Sequence, residues 1–475
     1  MSEARVMNGQ VSPGWRSVAA LPAAPLSRVR YELLAIALLV PSLMIAAFGN
    51  GFPIIFYDTG AYVLQGFDHV FIAERSPVYS LFLKYACGPE SLWYVALVQC
   101  AIVAFAMTEF ARALKPQLSL WNFLLIGLVL ALATGLPWYA AQIEPDCFTA
   151  VTPLAIYLLA FHARQLGFVR GMLMVLCAGF SAATHTTHLG IAFGLLVVLM
   201  VFRLVGFFWR ALPRPGILLT FASCVLALAL VLAGNYAFTR QVFVSRAGSV
   251  FLAARMMQDG LIKPVLDDDC PNAGYRMCSY KDHLPSRADA WLWEERASPF
   301  SHTGGFRKWG PESSALIAAS LSRYPFANAA WAGADTILQF FAVATGDGIV
   351  PQEWVLDPEF RKTIPSQMSD YTRAYQQRGD LWFLPLNLVH VPVALASIGM
   401  LFWLLWRAAR TGRWKEATLP AFVLVALLVN AVLCGVFSGP HYRYQSRMMW
   451  WPALTVALLC FNTLPALRRR EESVT

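Results

Sequence analysis

The sequence predicts an all-α polytopic membrane protein of about ten transmembrane helices, with a mostly helical or irregular domain between the seventh and the eighth. Of its 475 residues, 57% are hydrophobic and only 14% are charged, and the mean hydropathy is +0.52. A soluble domain has roughly 25% charged residues. Apolar runs of about 20 residues, the length that crosses a bilayer's hydrocarbon core, recur along the chain. The net charge of +9 does not indicate nucleic-acid binding, because the excess basic residues lie in short loops between apolar runs.

The chain begins with a segment rich in Pro, Ala and Ser, residues 1–27, which contains no apolar core. We predict that this segment is a disordered cytoplasmic tail and not a signal peptide. The apolar run behind Arg28 and Arg30 is long enough to span a bilayer and is predicted to be a retained signal anchor. Ten spans are predicted in chain order, at residues 31–49, 92–111, 120–141, 147–163, 171–186, 188–205, 216–236, 381–405, 417–437 and 448–466.

Nearly every second connection between the predicted spans is basic. The positive-inside rule then places both termini, including residues 468–475, in the cytoplasm. We predict a multi-pass protein of the bacterial inner membrane. The basic residues of these connections are Arg28, Arg30, Arg112, Lys115, Arg164, Arg170, Arg203, Arg210, Arg214, Arg407, Arg410, Arg413, Lys415, Arg468, Arg469 and Arg470.

The same alternation divides the chain into two transmembrane modules and an outer domain. The first module covers residues 28–236 and includes a first outer loop at 50–91, and the second covers 381–467. Residues 237–380 are predicted to form a periplasmic domain, because acidic and basic residues nearly balance there and long domains escape the charge rule. The fifth and sixth spans are short, so the sequence allows either two spans or one re-entrant hairpin.

Cys270 and Cys278 bracket the turn-forming segment CPNAGYRMC in the polar outer domain. In an oxidising periplasm this pair predicts a disulfide. A metal site is the alternative, with only His283 nearby as a further ligand. Residues 312–325 and the segment that follows show apolar side chains at helical spacing. We predict helices that lie on the outer membrane face or pack on the spans, or else ordinary helices of the outer domain.

Few charges fall within the predicted spans, which weakens a transport function, because carriers place ionisable groups near the membrane centre. Asp58 instead follows the first span, in an aromatic segment with Tyr57 and Tyr62. A carboxylate that is partly removed from water there suits a general base, which takes a proton from an attacking hydroxyl. The alternative is that Asp58 caps the N-terminus of a helix.

Two pairs of polar residues occupy predicted outer turns. Glu144 and Asp146 flank a proline and are suited to hold a divalent cation or to assist the base, or else they belong to a solvated turn in which Asp146 caps the fourth span. His185 and His188 are three residues apart, so they are expected to share a helical face. They suit a metal or a phosphate, or else they belong to an ordinary polar turn.

Arg443 and Arg447 lie in SGPHYRYQSR, on the side of the membrane where short loops avoid arginine. Four residues apart, they are expected on one helix face, where guanidinium groups suit a phosphate at headgroup depth. Arg75 is a similar exception and is expected to join the same anion site. Headgroup contact without catalysis is the alternative. The side chains that flank the two arginines are His441, Tyr442 and Tyr444.

These segments together resemble the GT-C superfamily of membrane glycosyltransferases over most of the chain's layout. FYDTGAYV resembles the first outer loop with its catalytic acid, ERSPVYSLF resembles the stretch after it, and HYRYQSRMMWWP is similar to the Arg-Tyr segment that faces the lipid phosphate. The turn with Glu144 and Asp146 matches the second acidic loop. Members of the group often have a second acid directly after the first, whereas Asp58 is followed by Thr59, so metal use and the subfamily stay open.

The resemblance implies an inverting glycosyltransferase that moves a sugar from a polyprenyl-phosphate donor to a lipid, glycan or protein acceptor on the periplasmic side. Catalytic roles are then expected for Asp58, Arg75, Glu144 and Asp146, with the tyrosine, histidine and C-terminal arginine side chains binding substrate. Asp58 would deprotonate the acceptor, and the arginines would stabilise the leaving phosphate. The alternatives are a lipid or solute transporter or flippase of envelope biogenesis, and a non-catalytic assembly partner.

Overall fold

The computed structural model describes residues 27–87, 91–209, 211–294, 298–352 and 360–460. Within these ranges every regular element is a helix, and one isolated bridge joins Ile54 to Gln142. The predicted all-α class is thereby confirmed for the described ranges. Residues 1–26 of the predicted N-terminal tail and the whole C-terminal tail, 468–475, lie outside them.

The helices are numbered here in chain order. Those before residue 240 are α1 (Arg28–Leu43), α2 (Ile45–Asn50), α3 (Thr59–Asp68), α4 (Pro77–Ala86), α5 (Leu92–Leu114), α6 (Leu120–Ala133), α7 (Leu136–Ala140), α8 (Val151–Phe161), α9 (Ala163–Ala183), α10 (Thr186–Phe208) and α11 (Leu218–Thr239). Those that follow are α12 (Gly248–Gln258), α13 (Lys263–Asp269), α14 (Ala288–Trp293), α15 (Gly305–Lys308), α16 (Gly310–Arg323), α17 (Pro325–Phe341), α18 (Met368–Arg373), α19 (Leu384–Arg410), α20 (Trp414–Phe437), α21 (Arg443–Ser446) and α22 (Trp450–Cys460).

In the described part of the chain, seven helical segments are long and apolar enough to cross a membrane. The protein is therefore a helical membrane protein, as predicted. α1 and α2 together form one of the seven, and the others are α5, α9, α10, α11, α19 and α20. Two shorter apolar segments, Leu120–Ala133 and Pro145–Phe161, fall at the predicted third and fourth spans.

The predicted fifth and sixth spans are two long helices. α9 has 21 residues and α10 has 23, with the turn between them at Thr184 and His185. Both segments are long and apolar enough to cross a membrane, which favours two spans over a re-entrant hairpin. The sequence underestimated α9 because helix resumes directly after Gly167, which adopts a positive φ of 73° within the basic connection.

The predicted third and fourth spans are shorter helices than the sequence suggested. α6 ends at Ala133, where Thr134 is extended, and Pro137 then occupies the first turn of the short helix α7. Beyond α7 the chain runs beside the first outer loop. Ile54 N–H donates to Ala141 O at 3.2 Å, and Ile143 N–H donates to Ile54 O at 2.9 Å. This irregular backbone is buried in protein, which is where broken helices are tolerated at membrane depth.

One end of the helix bundle is held together by an ionic cluster. Glu32 of α1 lies 2.7 Å from both Arg28 and Arg170, and Arg28 lies 3.3 Å from the buried Glu109 of α5. The cluster places the start of α1, the end of α5 and the start of α9 at the same end. Arg28 and Arg170 belong to two of the predicted basic connections, and we call this the basic end of the bundle.

The outer domain has its own aromatic core and one disulfide. Trp291, Phe300 and Trp309 pack together, with 5.2 Å between the ring centres of the two tryptophans. The disulfide joins Cys270 to Cys278, which confirms the predicted pair. It closes the segment that follows α13.

The two predicted amphipathic segments of the outer domain are helices with different neighbours. α16 packs on α12 within the domain, as an ordinary domain helix does. α17 packs along α20, so it lies on the spans. The contact is close because Gly435 has no side chain: a Cβ there would lie 2.7 Å from the backbone oxygen of Asp335. Asp335 also forms a buried ion pair with Arg255 of α12, which links the domain to this helix.

Candidate functional site

Asp58 stands directly before α3, but its carboxylate makes no capping hydrogen bond. It forms an ion pair with the guanidinium of Arg75 instead. Arg75 is positioned by the next residue, Ser76, whose hydroxyl donates to Ala183 O at 2.7 Å and accepts from Val78 N–H at 3.3 Å. The side chain of Asp58 is therefore in an ion pair and does not cap α3.

The backbone around Asp58 is tied to the turn that contains Glu144. Thr59 hydroxyl donates to Ile143 O at 3.0 Å and accepts from Phe56 N–H at 3.0 Å. Together with the bridge at Ile54, these bonds hold the first outer loop beside the residues before Glu144. The two acidic loops of the sequence are therefore neighbours in space.

Glu144 and Asp146 are buried, each only 2% exposed, so the solvated-turn alternative is wrong. Asp146 does not cap α8, whose first turn starts five residues later. Its carboxylate accepts a hydrogen bond from Arg447, which is fully buried, and lies 3.5 Å from Arg443 Nε. The carboxylate thus has two guanidinium groups from the far end of the chain as counter-charges.

Arg443 lies between two acid–arginine pairs, Asp58 with Arg75 and Asp146 with Arg447. Its guanidinium carbon lies 3.9 Å from the centre of the Phe56 ring, two residues before Asp58. Tyr444 lies beside both arginines, with 5.1 Å from its ring centre to each guanidinium carbon. The contact with Phe56 therefore brings Arg443 into the neighbourhood of the Asp58–Arg75 pair. We call Asp58, Arg75, Glu144, Asp146, Arg443 and Arg447 the acid–arginine cluster.

Several buried polar atoms of this cluster have no hydrogen-bond partner within the described chain. Buried charges that lack full hydrogen bonding are costly, and native proteins retain them mainly where a ligand or water is bound. Tyr62 points its hydroxyl into the same region. The unpartnered atoms are Tyr62 Oη, Arg75 Nε, Glu144 Oε1, Asp146 Oδ2, Arg443 Nη1 and Arg447 Nε.

Glu144 differs from the two aspartates because no arginine contacts its carboxylate directly among the described residues. Burial raises the pKa of Glu144 well above its ordinary value, and the negative charge of Asp58 raises it further. Burial also raises the pKa of the Tyr62 hydroxyl, again with Glu144 and Asp58 contributing. Glu144 is therefore favoured in its protonated form, as a hydrogen-bond donor.

The two histidines lie behind Asp146 and have different surroundings. His188 Nε2 bonds the Thr149 hydroxyl at 2.7 Å, and its Nδ1 lies 3.2 Å from both Thr184 Oγ1 and Ser181 O. Both of its ring nitrogens are thus occupied by the protein. His185 caps α10, where its Nδ1 accepts from Thr187 N–H at 3.2 Å. Burial is the main cause that lowers the pKa of His185 well below its ordinary value, which favours the neutral ring.

The remaining predicted binding residues lie at the rim of the cluster. Tyr57 and Tyr442 are exposed. The backbone of His441 is held by the side-chain amide of Gln339, at 2.9 Å in both directions. The His441 ring lies 3.6 Å from Asp289 of the outer domain, so it stands where the domain meets the spans.

Sequence reasoning missed Asp347, which accepts a hydrogen bond from Arg443 N–H at 3.2 Å. It lies between Gly346 and Gly348, both with positive φ, and a Cβ at Gly348 would lie 2.2 Å from the Phe56 ring. The segment GDG, an acid between two glycines in a polar loop, was the available signal. It indicates a tight loop that approaches other backbone closely.

The acidic side chains do not fit a divalent cation as they are arranged. Asp58 and Asp146 already have guanidinium partners, and among the described residues no three His, Cys, Asp or Glu side chains form a group that could hold a metal ion. Arginine supplies the positive charge in this site.

With this geometry established, the chain was compared with known proteins. No family model, curated protein or solved structure matches it. The resemblance to GT-C glycosyltransferases therefore stays an expectation, and any function must be argued from the acid–arginine cluster.

Proposed function

We propose that the protein is an inverting glycosyltransferase of the bacterial inner membrane, which transfers a sugar from a polyprenyl-phosphate donor to an acceptor on the periplasmic side. One observation carries this proposal. Acids from the first and second outer loops and arginines from the last connection meet in one largely buried cluster with unpartnered guanidinium and carboxyl atoms. A phosphate-linked sugar requires both a base and a cationic leaving-group site.

The topology belongs to the same proposal. The cluster lies at the bundle end opposite the basic end, since α2 leads into the first outer loop and α1 begins at Arg28. With the basic end in the cytoplasm, the positive-inside rule places the cluster and residues 237–380 in the periplasm. Ten crossings result when the two shorter segments and α22 are added to the seven long helices.

Each side chain then has a definite part in the reaction. Asp58, oriented by Arg75 at Oδ1, takes the proton of the acceptor hydroxyl as its oxygen attacks the anomeric carbon. The bond from that carbon to the phosphate oxygen breaks with inversion. Arg443 and Arg447 stabilise the charge that develops on the departing polyprenyl phosphate, and Asp146 holds them in position.

The proposal is tested by Asp58→Asn in a deletion strain complemented with the variant. We expect a loss of transfer of roughly 100-fold or more, with unchanged protein level, because an amide cannot accept the proton. Polyprenyl-linked sugar should accumulate on the periplasmic side. Asp68→Asn is the matched control, since Asp68 lies at the other end of α3 and pairs with Lys362 on the surface. Full activity of Asp58→Asn would refute the assigned base.

A transporter or flippase remains the alternative, and the same strain separates it from the enzyme. If the protein is a transporter, the strain that lacks its activity should accumulate the carrier-linked sugar on the cytoplasmic side. The structure favours chemistry, because the cluster gathers its charges at one end of the bundle, whereas the buried Glu109 belongs to the basic end. A continuous polar path would be needed for a solute or ion.

A further inference from the structure

A cavity of about 500 Å³ lies between the first outer loop and the outer domain. Residues 71–74 form one wall. Residues 291–294, 298, 300, 301 and 304–307 form the other. A volume of this size is typical of sites for small ligands. None of the residues of the acid–arginine cluster lines the cavity, so it is a separate feature of the same end of the bundle.

The cavity lies next to the cluster through two consecutive residues. Glu74 lines the cavity, and the next residue, Arg75, pairs with Asp58. The guanidinium carbon of Arg75 also lies 5.9 Å from the Trp293 ring, which lines the opposite wall. A molecule held in the cavity therefore has a short route to the carboxylate of Asp58.

The lining combines flat aromatic rings with hydrogen-bonding groups. Trp293 is 47% exposed, although Phe306 supports its ring at 5.6 Å. Such a tryptophan offers a firm apolar surface that is open to a ligand. Glu74, Ser298, Ser301 and Arg307 supply carboxylate, hydroxyl and guanidinium groups around it. Burial raises the pKa of Glu74, although Arg75 opposes this shift, so the carboxyl is partly withdrawn from water.

We propose that this cavity binds the acceptor of the reaction and that the acceptor is a glycan. A pyranose ring has an apolar C–H face, which packs on an aromatic ring, and an edge of hydroxyls, which bonds carboxylates and serines. Trp293 is the stacking surface, and Glu74 binds the hydroxyls. A lipid chain would not match a wall interrupted by these polar groups. The assignment of the ligand as an acceptor rests on the proposed glycosyltransferase activity.

Saturation-transfer NMR on the full-length protein in nanodiscs tests the proposal with three neutral disaccharides, cellobiose, maltose and N,N′-diacetylchitobiose. We expect saturable binding of at least one of them. Trp293→Ala should weaken it about tenfold or more, and Glu74→Gln, which preserves the side-chain shape, should weaken it less. Trp382→Ala is the matched control, because Trp382 is 71% exposed and lies outside the cavity lining.

Absence of binding by all three disaccharides, or wild-type binding by both cavity variants, would overturn the glycan site. Thermal unfolding of each variant checks that a loss of binding is not a loss of fold. The two proposals fail separately. Asp58→Asn should bind the disaccharide as the wild type does. If this variant binds the glycan and also remains fully active, the catalytic assignment is refuted and the cavity assignment stays in place.

Discussion

The three carboxyls of the site, the buried Glu144 and Asp146 and the partly buried Asp58, are stabilised in different ways. Asp58 and Asp146 each have a guanidinium partner, whereas Glu144 has none among the described residues and has one oxygen without a hydrogen bond. A carboxyl without a counter-charge is favoured in its neutral form. The site therefore combines two acids in ion pairs with one whose neutral form is favoured by burial.

Glu144→Gln should make the protein more thermally stable than the wild type, by a margin that grows as the pH rises. The pKa of Glu144 is raised in the folded state, so its favourable contribution is complete below the unfolded pKa and is lost as the pH rises towards the folded pKa. Gln does not titrate. We expect the melting temperature of the variant to exceed that of the wild type by roughly 2–4 °C at pH 8, with the difference vanishing near pH 4.5.

Differential scanning fluorimetry in nanodiscs from pH 4.5 to 8 measures this difference. Glu416→Gln is the control, because Glu416 is exposed, and its melting temperature should follow the wild type at every pH. A stability difference for Glu144→Gln that shrinks with rising pH would contradict the assigned protonation.

Asp146 and Arg447 should behave as one energetic unit. Asp146→Asn and Arg447→Met should each destabilise the protein by about 3–5 kcal/mol, because each leaves a buried charge without its partner. The double variant should lose clearly less than the sum of the two. A double-mutant cycle by reversible chemical unfolding measures the coupling, and additive losses would show that the pair is not coupled.

At the scale of elements, the site is built from breaks in helices. α6 stops at Thr134, α7 is one short turn, and α21 interrupts the chain between α20 and α22. Each break exposes backbone that pairs with a neighbouring segment, as Asn430 shows by donating to Tyr444 O at 2.8 Å. The irregular segments meet at one level and bring their polar side chains with them.

Gly435→Ala should separate α17 from α20. The new Cβ would lie 2.7 Å from Asp335 O and 3.1 Å from the Gln339 Cβ, and the backbone oxygen cannot move without the helix. We expect a loss of about 1–3 kcal/mol in unfolding free energy and weaker holding of His441 by Gln339.

The matched control is Gly399→Ala in α19, where no atom lies within 4 Å of the added carbon. Alanine favours helix over glycine, so this variant should be neutral or slightly more stable. Chemical unfolding and limited proteolysis of both variants measure the effect. Equal stability of the two alanine variants would show that the α17–α20 contact is not tight.

At the scale of the whole molecule, the proposed orientation depends on which end of the bundle faces the cytoplasm. Thr411 is exposed next to the basic end, and Ser314 is exposed on α16 of the outer domain. In intact spheroplasts a membrane-impermeant maleimide should label Ser314→Cys. Thr411→Cys should react only after the membrane is opened, and the opposite pattern would invert the proposed topology.

Sequence reasoning reached much of this protein because its strongest signals are local. Apolar run length located the long helices, and the spacing around Cys270 and Cys278 located the disulfide. The charge rule drew attention to Arg443 and Arg447, because it predicts a loop where arginine is rare. Each of these signals is contained in a few neighbouring residues. Hydropathy therefore sufficed for the class of fold and for the segments that contain the site.

Folding determined the partners within that site. Arg447 donates to Asp146 across 301 positions of the chain, and Asp347 reaches Arg443 across 96. No local pattern encodes such pairs, because they depend on how the helices pack and on where α6 ends and α8 begins. Burial also decided the environment of Glu144 and Asp146. Their sequence is compatible with a solvated turn, but segments distant in the chain cover both side chains.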